Sequence, residues 1–132
     1  MKGRETVMRF SSVAVMACLL LLASSSAYAH APAKVDLEFD LDEQLLKVSV
    51  QHQVKDAAKH YVSQVIVELN GKKIIEQTPK SQESLVDQKL IYRITDAGDG
   101  DTIAVTAGCN ISGKKKASIK VAPPPLPVED RE

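Results

Sequence analysis

Residues 35–41, Val-Asp-Leu-Glu-Phe-Asp-Leu, alternate apolar and acidic side chains without a break. Successive side chains of an extended chain point to opposite faces, so this is the pattern of a β-strand with one buried and one wet side. Residues 47–54 repeat it: Val48, Val50, His52 and Val54 fall on one face, and Lys47, Ser49, Gln51 and Gln53 on the other. A third strand is expected from Tyr61 to Leu69. Asn70-Gly71 follows, the pair best suited to the two positive φ angles of a tight hairpin turn, and leads into a short fourth strand near Lys73 to Gln77. Residues 78–87 are polar and read as a loop. Leu90, Tyr92 and Ile94 mark a fifth strand; after a glycine- and aspartate-rich turn over 96–101, Ile103, Val105, Ala107 and Cys109 alternate along a sixth. Gly113 and the lysines that follow it read as a turn, and Ile119 and Val121 mark a seventh strand. Seven short strands at near-even spacing, with no helical periodicity among them, predict an all-β chain, an immunoglobulin-like antiparallel β-sandwich. A small barrel is the alternative.

The segment preceding these strands has a different character. Lys2, Arg4 and Arg9 give a positive start, Val13 to Ala23 form an apolar run, and Ser24 to Ala29 supply small residues. This is the three-part pattern of an export signal over residues 1–29, with cleavage expected after Ala29. The apolar run is too short for the roughly 30 Å of hydrocarbon that a permanent anchor crosses, so no membrane span is expected in the mature form. The mature protein is therefore expected to be periplasmic or secreted and to begin at His30. At the other end Pro123, Pro124, Pro125 and Pro127 close the fold, and residues 122–132 are read as a disordered tail. The sandwich domain is thus assigned to residues 30–121.

The full chain of 132 residues carries 17 basic and 17 acidic side chains and no tryptophan. With no basic stripe and few aromatic rings on which bases could stack, nucleic acid is not expected as a partner. Loss of residues 1–29 removes more basic than acidic groups and leaves a slightly acidic domain large enough for one small core. That domain keeps His30, His52 and His60 and a single cysteine, Cys109, so it cannot form an intramolecular disulfide.

Chemistry must come from few residues. There is no glycine-rich phosphate loop and no serine, histidine and acid pattern. His52 falls in phase with buried valines, and Cys109 in phase with Ile103, Val105 and Ala107. Taken singly, a core histidine and an inert buried thiol account for both. Together, three imidazoles and one thiolate make a first shell suited to iron, zinc or copper. The discriminating feature is convergence of His52, His60 and Cys109 on one point.

The local contexts add a resemblance. His30-Ala31-Pro32, then His52 with Lys59-His60-Tyr61-Val62 beyond it, then Cys109-Asn110 with Gly113 late in the chain, resemble the iron-binding domain of the desulfoferrodoxin and superoxide reductase family. The resemblance covers residues 30–121 and implies a seven-stranded sandwich with a mononuclear non-haem iron. It also implies His30, His52 and His60 as equatorial ligands, Cys109 as axial thiolate, and Lys59 as a catalytic residue that draws superoxide toward the metal. Superoxide or another small anion would be the substrate, reduced to peroxide with an electron from an external donor. The chain departs from the family pattern at Ser112, where a further histidine is expected, at Gln53-Val54, at Ala58 and at Lys114. These departures give a degenerate metal site, for which binding is expected over efficient catalysis. Two alternatives stand beside it. One is a copper or zinc carrier that uses the α-amine and imidazole of an N-terminal His30; the other is a metal-free interaction module. The lysine runs at 72–73 and 114–116 are read as solvated turns.

Overall fold

The structure is a computed structural model that describes residues 30–126. The expected export signal, and residues 127–132 of the expected tail, lie outside the described residues. Seven strands follow one another: β1 Lys34–Asp40, β2 Leu45–Gln51, β3 Val62–Leu69, β4 Lys72–Gln77, β5 Asp87–Arg93, β6 Thr102–Cys109 and β7 Lys114–Lys120. They form two antiparallel sheets, β1-β2-β5 and β4-β3-β6-β7. This is the expected all-β sandwich. Among the described residues no helix is long and apolar enough to cross a membrane.

Register explains why the alternation works. Leu37 pairs with Val48, and Val48 with Leu90; Val35 pairs with Val50, so the apolar residues of the first sheet lie in rows on one face. Val67 pairs with Val105 and Val65 with Ala107 in the second sheet. Leu46, Val48 and Val50 from one sheet face Val62, Val65, Val67, Ile103 and Val105 from the other, all buried. Each such side chain contributes about 1.5–3 kcal/mol on burial. Ile94, Ala97 and Val121 close the end of this core remote from the histidines. At that end Asn70 and Gly71 take φ of 48° and 82°, as the β3–β4 hairpin requires.

Two expectations need correction. Neither lysine run forms a turn: Lys72 and Lys73 begin β4, and Lys114–Lys116 begin β7, an edge strand held by β6 from Thr102↔Lys120 to Gly108↔Lys114. The main-chain ladder holds them in extended form, and charged lysines on an edge also discourage pairing with another chain. The second strand ends at Gln51 rather than continuing through Val54. Its alternation persists beyond that point because His52 N–H donates to the Val86 carbonyl at 3.0 Å and Val54 N–H to the Leu85 carbonyl at 2.8 Å.

Candidate metal centre

Three chain segments meet at one end of the sandwich: the exit from β2, the entry to β3 and the exit from β6. His52 follows directly on β2 and is buried at 3% exposure, in phase with Val50 and Val54 as the alternation requires. Each of its ring nitrogens faces an oxygen. Nδ1 lies 2.9 Å from Gln82 Oε1, and Nε2 lies 2.9 Å from the main-chain carbonyl of His30.

His60 closes a tight turn that starts at Asp56. The His60 N–H donates to the Asp56 carbonyl at 2.9 Å, and the Asp56 side chain accepts from the Ala58 N–H at 2.9 Å. The chain then enters β3. The β3–β6 register shifts between Val62 and Gln64, so Ser63 is an extra residue beside the Val62↔Cys109 pair. A bulge of this kind adds twist and re-aims the strand ends.

Cys109 ends β6 and is half-buried. Its sulfur lies 3.1 Å from His60 Nε2, and the Ile111 N–H points at it from 3.4 Å. Asn110 braces this pair. Its side-chain amide donates to the Lys59 carbonyl at 2.8 Å and accepts from the Tyr61 N–H at 2.9 Å, and its own N–H donates to the Tyr61 carbonyl at 3.0 Å.

The result is convergence. One nitrogen each from His52 and His60 and the Cys109 sulfur lie within 4.8 Å of one another. Metal–ligand bonds of about 2.0–2.3 Å at tetrahedral angles put donor atoms roughly 3.3–3.8 Å apart, so closure by about an ångström brings the widest pair onto one ion. Two imidazoles and a soft thiolate suit zinc, iron or copper. The donor set therefore fits a metal ion.

His30 does not join that group of three. Its ring sits edge-on to His60, with centroids 5.4 Å apart, and its carbonyl rather than its ring meets His52. Its Nδ1 is nevertheless buried without a hydrogen-bond partner among the described residues. The segment is seated by the loop after Cys109. Gly113 takes φ of 85°, and a Cβ there would stand 2.6 Å from that of Ala31. Ser112, where a fourth imidazole is absent, is exposed on this loop. Lys59 is also exposed, at 86% of its side chain, with Asp56 at 3.9 Å as its ion-pair partner. An open cleft lined by His30, Gln53, Val54, Lys55, Asp56 and His60 gives solvent access.

Electrostatics favours a neutral His60 ring. Partial burial, and then the proximity of His52 and His30, hold the His60 pKa below its ordinary value. A neutral imidazole is the form that ligates a metal.

Gln82 belongs to this cluster, and the sequence did not reveal it. It lies in the polar stretch before β5, yet it is buried at 5% exposure and reaches His52 across 30 residues of chain. A lone glutamine among polar neighbours leaves no periodic mark.

No family model matches the chain, and no curated protein matches it. Among solved structures, the chain is similar to a superoxide reductase (neelaredoxin) from Ignicoccus hospitalis, with TM-score 0.45 and 14% identity, covering 92% of this chain and 100% of that one. A hypothetical protein from Pyrococcus horikoshii matches with TM-score 0.41 and 16% identity, covering 79% of this chain and 99% of that one. The assignment of the fold rests on the strands and their pairing.

Proposed function

We propose that the protein is an exported metal-binding sandwich of superoxide reductase-like type, its metal held by His52, His60 and Cys109. The observation that carries this reading is the convergence of two imidazoles and a thiol from three separate segments, within 4.8 Å of one another. Such residues rarely meet in a chain with three histidines unless the fold gathers them, and His60 and Cys109 are 49 positions apart. Iron is the metal we favour. When bound, it supplies one electron to superoxide, and a thiolate ligand favours that transfer by pushing electron density onto the metal.

The remaining chemistry falls to the chain. Superoxide takes up one electron and two protons and leaves as hydrogen peroxide, and a reduced one-electron donor from outside replaces the electron. Lys59 lies next to His60 in sequence and adds positive potential near the cleft for an incoming anion. With Ser112 in place of a fourth imidazole, we infer a centre better suited to holding a metal than to rapid turnover.

The test is anaerobic purification of the chain from His30 onward, followed by elemental analysis of wild type and Cys109→Ser. Stoichiometric iron with a thiolate charge-transfer band that the substitution abolishes is the expected result. A wild-type protein that takes up no metal defeats the reading and leaves an interaction module.

The unpartnered Nδ1 of His30 favours a second reading. If cleavage falls after Ala29, the new α-amine and this nitrogen belong to one residue and form a chelate suited to copper, with His60 beside it. N-terminal sequencing of the exported protein decides this, since any other start removes the amine.

A further inference from the structure

Both nitrogens of the His52 ring face an oxygen at 2.9 Å, Gln82 Oε1 on one side and the His30 carbonyl on the other. A neutral imidazole has one N–H and one lone pair, so it can donate to only one of these acceptors. The two acceptors are not equally fixed. The Gln82 amide nitrogen donates to the His52 carbonyl at 2.7 Å and to the Ser84 carbonyl at 2.8 Å, while its oxygen also accepts from the Val62 N–H at 3.3 Å. Turning the amide over would set its oxygen against two carbonyls and its nitrogen against the Val62 N–H. Its orientation is therefore determined, and the oxygen facing Nδ1 is an acceptor that cannot move away. The His30 carbonyl is less constrained. It precedes β1, and the first main-chain bond tying this segment to β2 is from the Ala33 N–H to the Gln51 carbonyl.

We propose that Gln82 is a positioning residue for the metal centre: it holds the His52 proton on Nδ1 and reserves Nε2 for the metal, with the His30 carbonyl as a displaceable cap on that nitrogen. In the metal-free protein the Nε2 lone pair and the carbonyl oxygen oppose one another. A cation bound at Nε2 removes that conflict as the carbonyl moves aside. Hydrogen bonds from the far nitrogen of a ligating histidine fix its tautomer and raise its basicity, and their loss lowers metal affinity by about 10- to 100-fold. The role of Gln82 rests on the metal-binding reading above; the tautomer does not.

Two variants separate positioning from scaffolding. Gln82→Met has similar length and no acceptor, whereas Gln82→Glu keeps an oxygen facing Nδ1 but gives up the amide donors. Long-range nitrogen–proton correlation spectra of the metal-free proteins at pH 8 report the tautomer, and chelator competition reports zinc affinity. Wild type and Gln82→Glu are expected to hold the Nδ1–H form, although the Glu variant is less stable. Gln82→Met is expected to populate both forms and to bind zinc about 10- to 100-fold more weakly. On zinc addition to wild type, the Ala31 amide signal should move while the Gln82 side-chain signals stay in place. His52 carrying its proton on Nε2 in metal-free wild type overturns the proposal, whatever zinc does. So does a Gln82→Met protein that binds zinc as tightly as wild type. An Nδ1–H wild type that binds no zinc instead defeats the metal-binding reading, and the assigned role of Gln82 with it.

Discussion

Asn110 grips the main chain on both sides of His60, donating to the Lys59 carbonyl at 2.8 Å and accepting from the Tyr61 N–H at 2.9 Å. Because Asn110 follows Cys109 directly, this grip fixes the 3.1 Å separation of the imidazole and the sulfur. Asn110→Ala removes two hydrogen bonds and should cost about 1–2 kcal/mol in denaturant unfolding. It should also weaken zinc binding by about tenfold or more. Asn70 is the control: its side chain bonds Asp101 and the Thr102 N–H at the opposite end of β3. Asn70→Ala, which also sets alanine at a left-handed φ, should lose at least as much stability and no zinc affinity. Equal zinc losses in both would show that the site responds to global stability alone.

Gly113 makes a different contribution. Gly100 and Gly113 both take positive φ, 86° and 85°, but a Cβ at Gly100 would meet nothing within 4 Å, whereas one at Gly113 would meet Ala31. Alanine at Gly100 should therefore cost only the left-handed backbone strain, about 1–2 kcal/mol. Gly113→Ala adds displacement of the Ala31 segment, and with it the His30 carbonyl at His52 Nε2. A larger drop in unfolding midpoint, together with shifted His52 ring signals in the Gly113 variant alone, is the expected pattern. Matching behaviour in the two variants would remove the N-terminal segment from the site.

Much of the fold was legible because burial and pleat share a period of two. Val35, Leu37 and Phe39, then Val48 and Val50, announce strands whether or not their partners are known. The run Lys114-Lys115-Lys116 carries no such alternation, and it is a strand only because β6 supplies a ladder for it. The site divides in the same way. His52 and Cys109 were visible because a polar side chain or a thiol in phase with valines stands out. Gln82 was not, since its importance comes from contacts made after folding, across 30 positions and with a loop. The place of His30 was half legible: its proximity to the other histidines followed from the resemblance, but the contact of its carbonyl with His52 had no trace in the sequence.

Lys59 lies far enough into solvent that its effect on an anion should be long-range and screened. Lys59→Met is expected to slow the reaction of the iron-loaded protein with superoxide by about 3- to 10-fold at low ionic strength, and much less at several hundred millimolar salt. Zinc affinity should not change, because the side chain is an ion-pair partner of Asp56 rather than a ligand. Pulse radiolysis at two salt concentrations measures this, and a salt-independent deficit would point to a direct role at the metal instead of steering.

The His60 pKa provides the last prediction. Partial burial, followed by the nearby His52 and His30, lowers it from the ordinary value of 6.5. Near and below pH 6.5 the unfolded chain then binds more protons at this residue than the folded chain does. Stability from this group is accordingly intact above about pH 6.5 and is lost as the pH falls from there through the depressed folded value. The unfolding midpoint of the metal-free protein should decline between pH 7.5 and 5.5, and the decline should shrink in His60→Gln. Zinc affinity should fall over the same window, since a proton and a metal compete for one imidazole lone pair. Denaturant titrations at four or five pH values suffice. If the wild-type midpoint is flat across the window, or the variant declines in parallel, His60 is not the group that couples folding to pH.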